Sequence, residues 1–233
     1  MNFRIPLFAS AAAVLIVAVL SLWAWLTVTG GTVPAGIGDD LDPVSKVSKL
    51  RGLVIGPALF VGLPILLFIV IPRIEPRRAN LLASSRAYGA AWITVVSLGV
   101  IAHFGFVARA TGADLNPDAL LPAALAIGLV ILGNYMGKVR SNFFLGIRTP
   151  WTLSSDLSWN KTHRLGGKLL VLAGFVLLPL AFLIEDPALS SVVGAATVTA
   201  VAVLLVVYSY VIWRRDTATN PQATDDRRNG SRT

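Results

Sequence analysis

Six runs of apolar residues, each close to the length that crosses a lipid bilayer, constrain this chain more than anything else in it. A hydrocarbon core about 30 Å thick takes roughly 20 helical residues at 1.5 Å rise each. Pro6–Val28, Leu53–Pro72, Tyr88–Ala108, Ala119–Met136, Lys168–Ile184 and Ser191–Trp213 meet or approach that length. Hydrocarbon cannot hydrogen-bond a bare backbone, so such runs cross it as helices. The expected fold is all-α, a polytopic transmembrane bundle of about six helices. Only 14% of the 233 residues are charged, against roughly 25% in soluble domains, and mean hydropathy is +0.72. The first run is too long for a signal-peptide core and no A-x-A-like site follows it, so it reads as a retained helix.

The connecting segments divide unevenly in charge. The N-terminus, the second and fourth loops and the tail hold sixteen of the 20 Lys and Arg, and the other three loops hold four. The positive-inside rule then predicts both termini and loops two and four in the cytoplasm. The net charge of +8 is explained by attraction to membrane lipids, about 1 kcal/mol for each basic residue near anionic headgroups. It calls for no direct nucleic-acid partner. The tail, 214–233, has no apolar period and is expected to be disordered.

Several chemistries find no support. The chain has no Cys and two His, which argues against thiolate and multi-histidine metal sites; no metal or other cofactor is expected. No HExxH, GxSxG or Walker-type motif occurs, so the chain does not read as an enzyme. No Asp or Glu falls inside a predicted span, which disfavours an ion-coupled transporter. His103, inside the third span, reads either as a functional group or as a helix-to-helix hydrogen bond. Asn134, at the cytoplasmic end of the fourth span, reads as packing or capping.

Loop four, 138–167, is too long for a plain connector and too rich in Phe, Trp and Leu for a disordered one. Within it, "IRTPWTLSSDLSWNKTHRLGGK" carries Asp156 and His163, but two helical turns would part them by roughly 10 Å, too far for a catalytic dyad. Thr149 before Pro150 is biased to extended backbone. Ser154 or Ser155 offers an N-cap with Asp156 in the first turn, and Gly166-Gly167 is expected to loosen the joint to the next span. Two readings stay open: a surface anchor, with Trp151 and Trp159 at headgroup level, and a partner-binding surface. Leu157, Trp159 and Leu165 do not share one helical face, so the segment reads as poorly amphipathic.

The order of residues adds a resemblance. Gly133, Asn134, Tyr135, Met136, Lys138, Asn142, Gly146 through Ser154, Trp159, Lys161, Thr162, His163, Gly166 and Gly167 resemble the signature of the SdpI family of bacterial membrane proteins. Residues 6–110, through "IPRIEPRRAN" and "SKL", resemble the DUF1648 domain that commonly precedes it, with 119–213 as the SdpI-like region. The outer loop "VPAGIGDDLDPVSK" departs from that pattern, lacking its His and aromatic residue. The resemblance implies a multi-pass protein of the bacterial inner membrane that confers immunity to a secreted antimicrobial peptide toxin on its outer face. It further implies signalling, by holding a cytoplasmic transcriptional repressor at the membrane. Arg148, Thr149, Pro150, Trp151, Asp156, Trp159, Lys161, Thr162, His163 and Arg164 are then the expected partner-binding residues. Asn134, Tyr135, Lys138, Asn142, Gly146, Gly166 and Gly167 are expected to complete the motif. The competing readings are a small-molecule or lipid transporter or flippase, and a structural membrane subunit.

Overall fold

A computed structural model describes residues 3–34, 46–113 and 119–219. The first span is α1 (Arg4–Thr27), and a short antiparallel pair, β1 (Thr32–Pro34) and β2 (Lys46–Ser48), follows it. The second span, Arg51–Ile74, starts as two π-helical turns, Arg51–Ile55 and Ala58–Gly62, and tightens into α2 (Leu63–Ile74). A short α3 (Arg78–Ala83) leads into α4 (Ser85–Ala110), and α5 (Leu120–Met136) is the fourth apolar helix. After an irregular stretch come α6 (Pro150–Ser154), α7 (Asp156–Leu183) and α8 (Pro187–Thr219). Five of these segments are long and apolar enough to cross a membrane, and α5, with 17 residues, is shorter. The chain is a multi-pass helical membrane protein. Its outward faces are apolar, as at Phe60, Phe182 and Leu183, and lipid is the solvent in which such faces are stable.

Three expectations need correction. The fifth helix does not start after Gly166-Gly167; α7 runs unbroken from Asp156 through both glycines. Their low helix propensity is overridden by packing. A Cβ on Gly167 would lie 2.6 Å from the Gly133 carbonyl oxygen, and one on Gly133 2.7 Å from the Gly167 carbonyl oxygen. One heptad away, a Cβ on Gly174 would lie 2.5 Å from the Ala126 oxygen. Antiparallel α5 and α7 therefore approach backbone to backbone along a seam of small residues, the usual means of helix association where lipid removes the hydrophobic drive. Second, the tail is not irregular from 214, because α8 continues to Thr219 with Asp216 bonded back to the loop. The remainder of the tail, and the divergent part of the outer loop at 35–45, lie outside the described residues. Third, the small β pair was not foreseen.

Side-chain contacts sort the connecting segments between two ends of the bundle. Phe3 meets Tyr88 and Trp92, the α2–α4 connection bonds to 140–153, and Ser155 bonds to Asp216. The N-terminus, loops two and four and the end of α8 thus gather at one end. The segments that carry most of the basic residues are the same ones. His103 in α4 shares a 2.9 Å hydrogen bond with Ser21 of α1, the helix-to-helix arrangement.

The close seam makes a testable difference between glycines. Gly167→Ala should lower thermal stability in detergent by about 1–3 kcal/mol, the usual cost of overpacking. Gly194→Ala, whose Cβ meets nothing within 4 Å, should be neutral or slightly stabilising. Equal effects would contradict the backbone contact.

Candidate functional site: a loop folded around a buried histidine

The residues from Lys138 to Ser155 form a folded unit. Asn142, fully buried, organises its first turn. Its Oδ1 accepts the N–H groups of Phe144 (2.9 Å) and Leu145 (2.6 Å), and its Nδ2 donates to the carbonyls of Arg140 and Leu145. The turn ends at Gly146, whose φ of +108° suits glycine. A Cβ there would overlap the His163 ring. The next residue, Ile147, donates its N–H to His163 Nε2 at 2.9 Å. That nitrogen is therefore unprotonated, and Nδ1 carries the hydrogen given to the Trp159 carbonyl at 2.8 Å. His163 is neutral in this arrangement, with both ring nitrogens satisfied. It stacks on Trp159 at 3.9 Å between centroids.

The chain then re-enters helix by local chemistry. Thr149 is extended (φ −93°, ψ 159°), as a residue before proline should be, and caps α6 in a reciprocal box with Thr152. Ser155 caps α7, accepting the Ser158 N–H at 3.0 Å, and Asp156 sits in the first turn as expected.

Three walls hold this unit. On α8, Ser209 takes hydrogen bonds from both capping regions: its hydroxyl pairs with Thr149 Oγ1 at 3.0 Å and its carbonyl accepts from Ser158 Oγ at 2.9 Å. Trp151 meets Tyr210 edge-on at 5.2 Å. Towards α5, Trp159 donates its indole N–H to the Val139 carbonyl at 2.7 Å and packs with Ala87 and Val139. On the α2–α4 side, the buried carboxylate of Glu75 accepts the N–H of Phe143 at 3.0 Å and that of Arg77 at 2.8 Å. Arg77 lies 5.0 Å from the centre of the Phe143 ring and donates to Ser141 Oγ and to the Leu153 carbonyl. Asn80 donates to the Ser141 carbonyl, and Ser84 Oγ accepts the Arg140 N–H.

This geometry changes the picture of several expected binding residues. Trp159, Thr162 and His163 are 0–1% exposed, so they cannot form a partner-binding surface. Trp159 is enclosed by protein and does not face lipid headgroups, and Thr149 is buried as well. The segment is also strongly two-faced. Trp159, Thr162, His163, Gly166 and Gly167 make a buried stripe, with Asn160, Lys161, Arg164 and Lys168 outside. The stripe consists of small, polar and aromatic residues, which is why hydropathy missed it. Asp156 is exposed in the first turn of α7, two turns before buried His163, and the structure does not pair them. Exposed residues of the expected set are Arg148, Pro150, Asp156, Lys161 and Arg164, with Trp151 half-buried. Arg148 donates to the Phe143 carbonyl at 2.6 Å. Asn134, Gly137 and Lys138 are exposed, and Tyr135 lies under the Lys138 ammonium at 5.7 Å. Among the described residues no group of three or more His, Asp or Glu converges on a metal position.

Glu75, Arg77, Asn80, Ser84, Ser209 and Asp216 were not singled out from the sequence. Glu75 had a legible signal, as the single acid in a turn with four arginines. Ser209 had little, being a small hydroxyl between two tyrosines in an apolar run.

Residues 138–213 match the SdpI/YfhL protein family. A curated relative, the Immunity protein SdpI of Bacillus subtilis (strain 168), is 37% identical over 71 residues, covering 30% of this chain and 34% of the relative. The chain is thus matched to about a third of that relative's length. No solved structure matches the chain. The SdpI-matching segment coincides with the folded loop plus α7 and most of α8, so motif and scaffold are one structure.

Two neighbouring substitutions separate the roles of the motif. His163→Phe keeps the stack on Trp159 but removes the acceptor for Ile147, and should cost about 1–3 kcal/mol for the unsatisfied N–H. Thr162 Oγ1 is buried with no partner among the described residues, so Thr162→Val should be neutral or stabilising. Thermal unfolding of both variants in one detergent checks this; a destabilised Thr162→Val beside an unaffected His163→Phe would contradict the geometry.

Proposed function

We propose that this chain is an immunity protein of a bacterial inner membrane, protecting its cell from a secreted antimicrobial peptide that reaches it from outside. The observation that carries this reading is the 37% identity over 71 residues to a protein named for immunity. In this reading both termini and the folded loop face the cytoplasm, in keeping with the basic residues gathered there, and 6–110 forms the DUF1648-like region.

The reading extends to signalling. A cytoplasmic transcriptional repressor would dock on what the folded loop leaves outside: Arg148, Pro150, Asp156, Lys161 and Arg164, with the edge of Trp151. Three of these six are cationic, which suits an acidic patch on the partner. The buried Trp159 and His163 would act only through the fold.

Expression in a sensitive bacterium challenged with secreted peptide toxins tests the immunity reading. The expected result is raised survival against at least one toxin; unchanged killing across a panel, with the protein inserted, counts against it. With a repressor-controlled reporter, Lys161→Ala combined with Arg164→Ala should cut the toxin-dependent output severalfold and leave survival intact. An unchanged output would remove the docking surface.

A further inference from the structure

At the same end of the bundle, α1, α2 and α4 leave a cavity of about 240 Å³. Its lining is of two kinds. Phe3, Leu7, Phe68 and Trp92 supply an aromatic and aliphatic wall, while Arg73 and Arg78 supply positive charge. Among the described residues no carboxylate lines it. The wall is set without any ligand. Phe68 and Trp92 stack with centroids 5.6 Å apart and planes at 9°, and Phe3 lies 6.0 Å from Trp92. Trp92 is fixed through its indole N–H, which donates to Ser10 Oγ at 2.9 Å. Arg73 gives one N–H to the Ile69 carbonyl of its own helix. Arg78 is exposed and makes no hydrogen bond or ion pair among the described residues.

The depth of the cavity is informative. Phe3 and Leu7 flank the first turn of α1, and Arg73 lies in the last turn of α2. Both helices pass there from apolar span to connecting segment, which is headgroup level. We propose that this cavity holds an anionic phospholipid, its phosphate between Arg73 and Arg78 and the upper part of one acyl chain along Leu7, Phe68 and Trp92. A guanidinium presents paired donors that match phosphate oxygens, and basic pockets between membrane helices are suited to anionic headgroups. A soluble anion leaves the apolar wall uncovered, and an uncharged lipid leaves the arginine donors to water. A phosphate ester joined to a hydrocarbon chain satisfies both at once. The inference is independent of the immunity reading, since it rests on the N-terminal half alone.

The test uses the purified full-length chain in detergent. Native mass spectrometry with equimolar phosphatidylglycerol and phosphatidylcholine reads lipid preference, and thermal unfolding is followed with either lipid or with inorganic phosphate. The expected result is retention and stabilisation by phosphatidylglycerol over phosphatidylcholine, falling about fivefold for each arginine removed in Arg73→Gln/Arg78→Gln. Arg73→Lys/Arg78→Lys, which keeps the charge but not the paired donors, should retain more of the preference than the glutamine pair, which shows that charge and not loss of fold is measured. Lys161→Gln/Arg164→Gln, on α7 and outside the cavity lining, should keep all of it. Undiminished preference in Arg73→Gln/Arg78→Gln overturns the proposal. So does inorganic phosphate stabilising as strongly as the lipid, which would mark a soluble-anion site, and so does equal retention of the two lipids.

Discussion

The imidazole of His163 holds the end of this molecule together by having one nitrogen of each kind. Nδ1–H is directed at the carbonyl one turn back in α7, which leaves Nε2 as a lone pair facing the loop. The loop meets that lone pair with the N–H of Ile147 and with a glycine, since any side chain at 146 would occupy the same space. A buried donor without a partner costs about 1–3 kcal/mol, so the Ile147 contact fixes where the loop crosses α7. From that point the capping threonines, Trp151 and Ser155 reach α8, and Asn142 and Phe143 reach Glu75. The order G-I-R-T-P-W-T-L-S followed by W-x-K-T-H-x-x-G-G is in this sense a folding instruction. Its members bond chiefly to one another.

The outside of the same unit is basic. Lys161, Arg164 and Lys168 stand on the face of α7 that turns away from Trp159 and His163, and Arg148 projects from the loop. The unit is bonded to the α2–α4 connection through Glu75, Arg77 and Asn80, which meet Phe143 and Ser141 directly. The two halves of the chain meet through side chains at this end as well as through lipid-facing helices.

Much of the architecture was legible because bilayer thickness leaves few options. Apolar runs of about 20 residues have to be helices, and their ends came within a few residues except where polar sequence stayed helical. That exception is instructive. From Asp156 to Lys168 the helix is carried by caps, an aromatic stack and glycine contacts, none of which registers as hydropathy. The extended backbone of Thr149 and the cap at Ser155 were readable because proline and serine act on their own neighbours. The partners of those residues and of Phe143 were not, since Ser209, Asp216 and Glu75 lie 50 or more positions away and only the fold brings them near. The same blindness turned a buried stripe into an expected binding face.

Amide hydrogen exchange of the protein in lipid nanodiscs tests most directly whether loop four is a folded part of the bundle. The amides of Phe143, Phe144, Leu145 and Ile147, each with a side-chain acceptor, should exchange as slowly as those of the neighbouring helix ends. Glu75→Ala should release Phe143 first. Exchange across 140–153 at the rate of an unstructured peptide, unaltered by Glu75→Ala, would contradict the account.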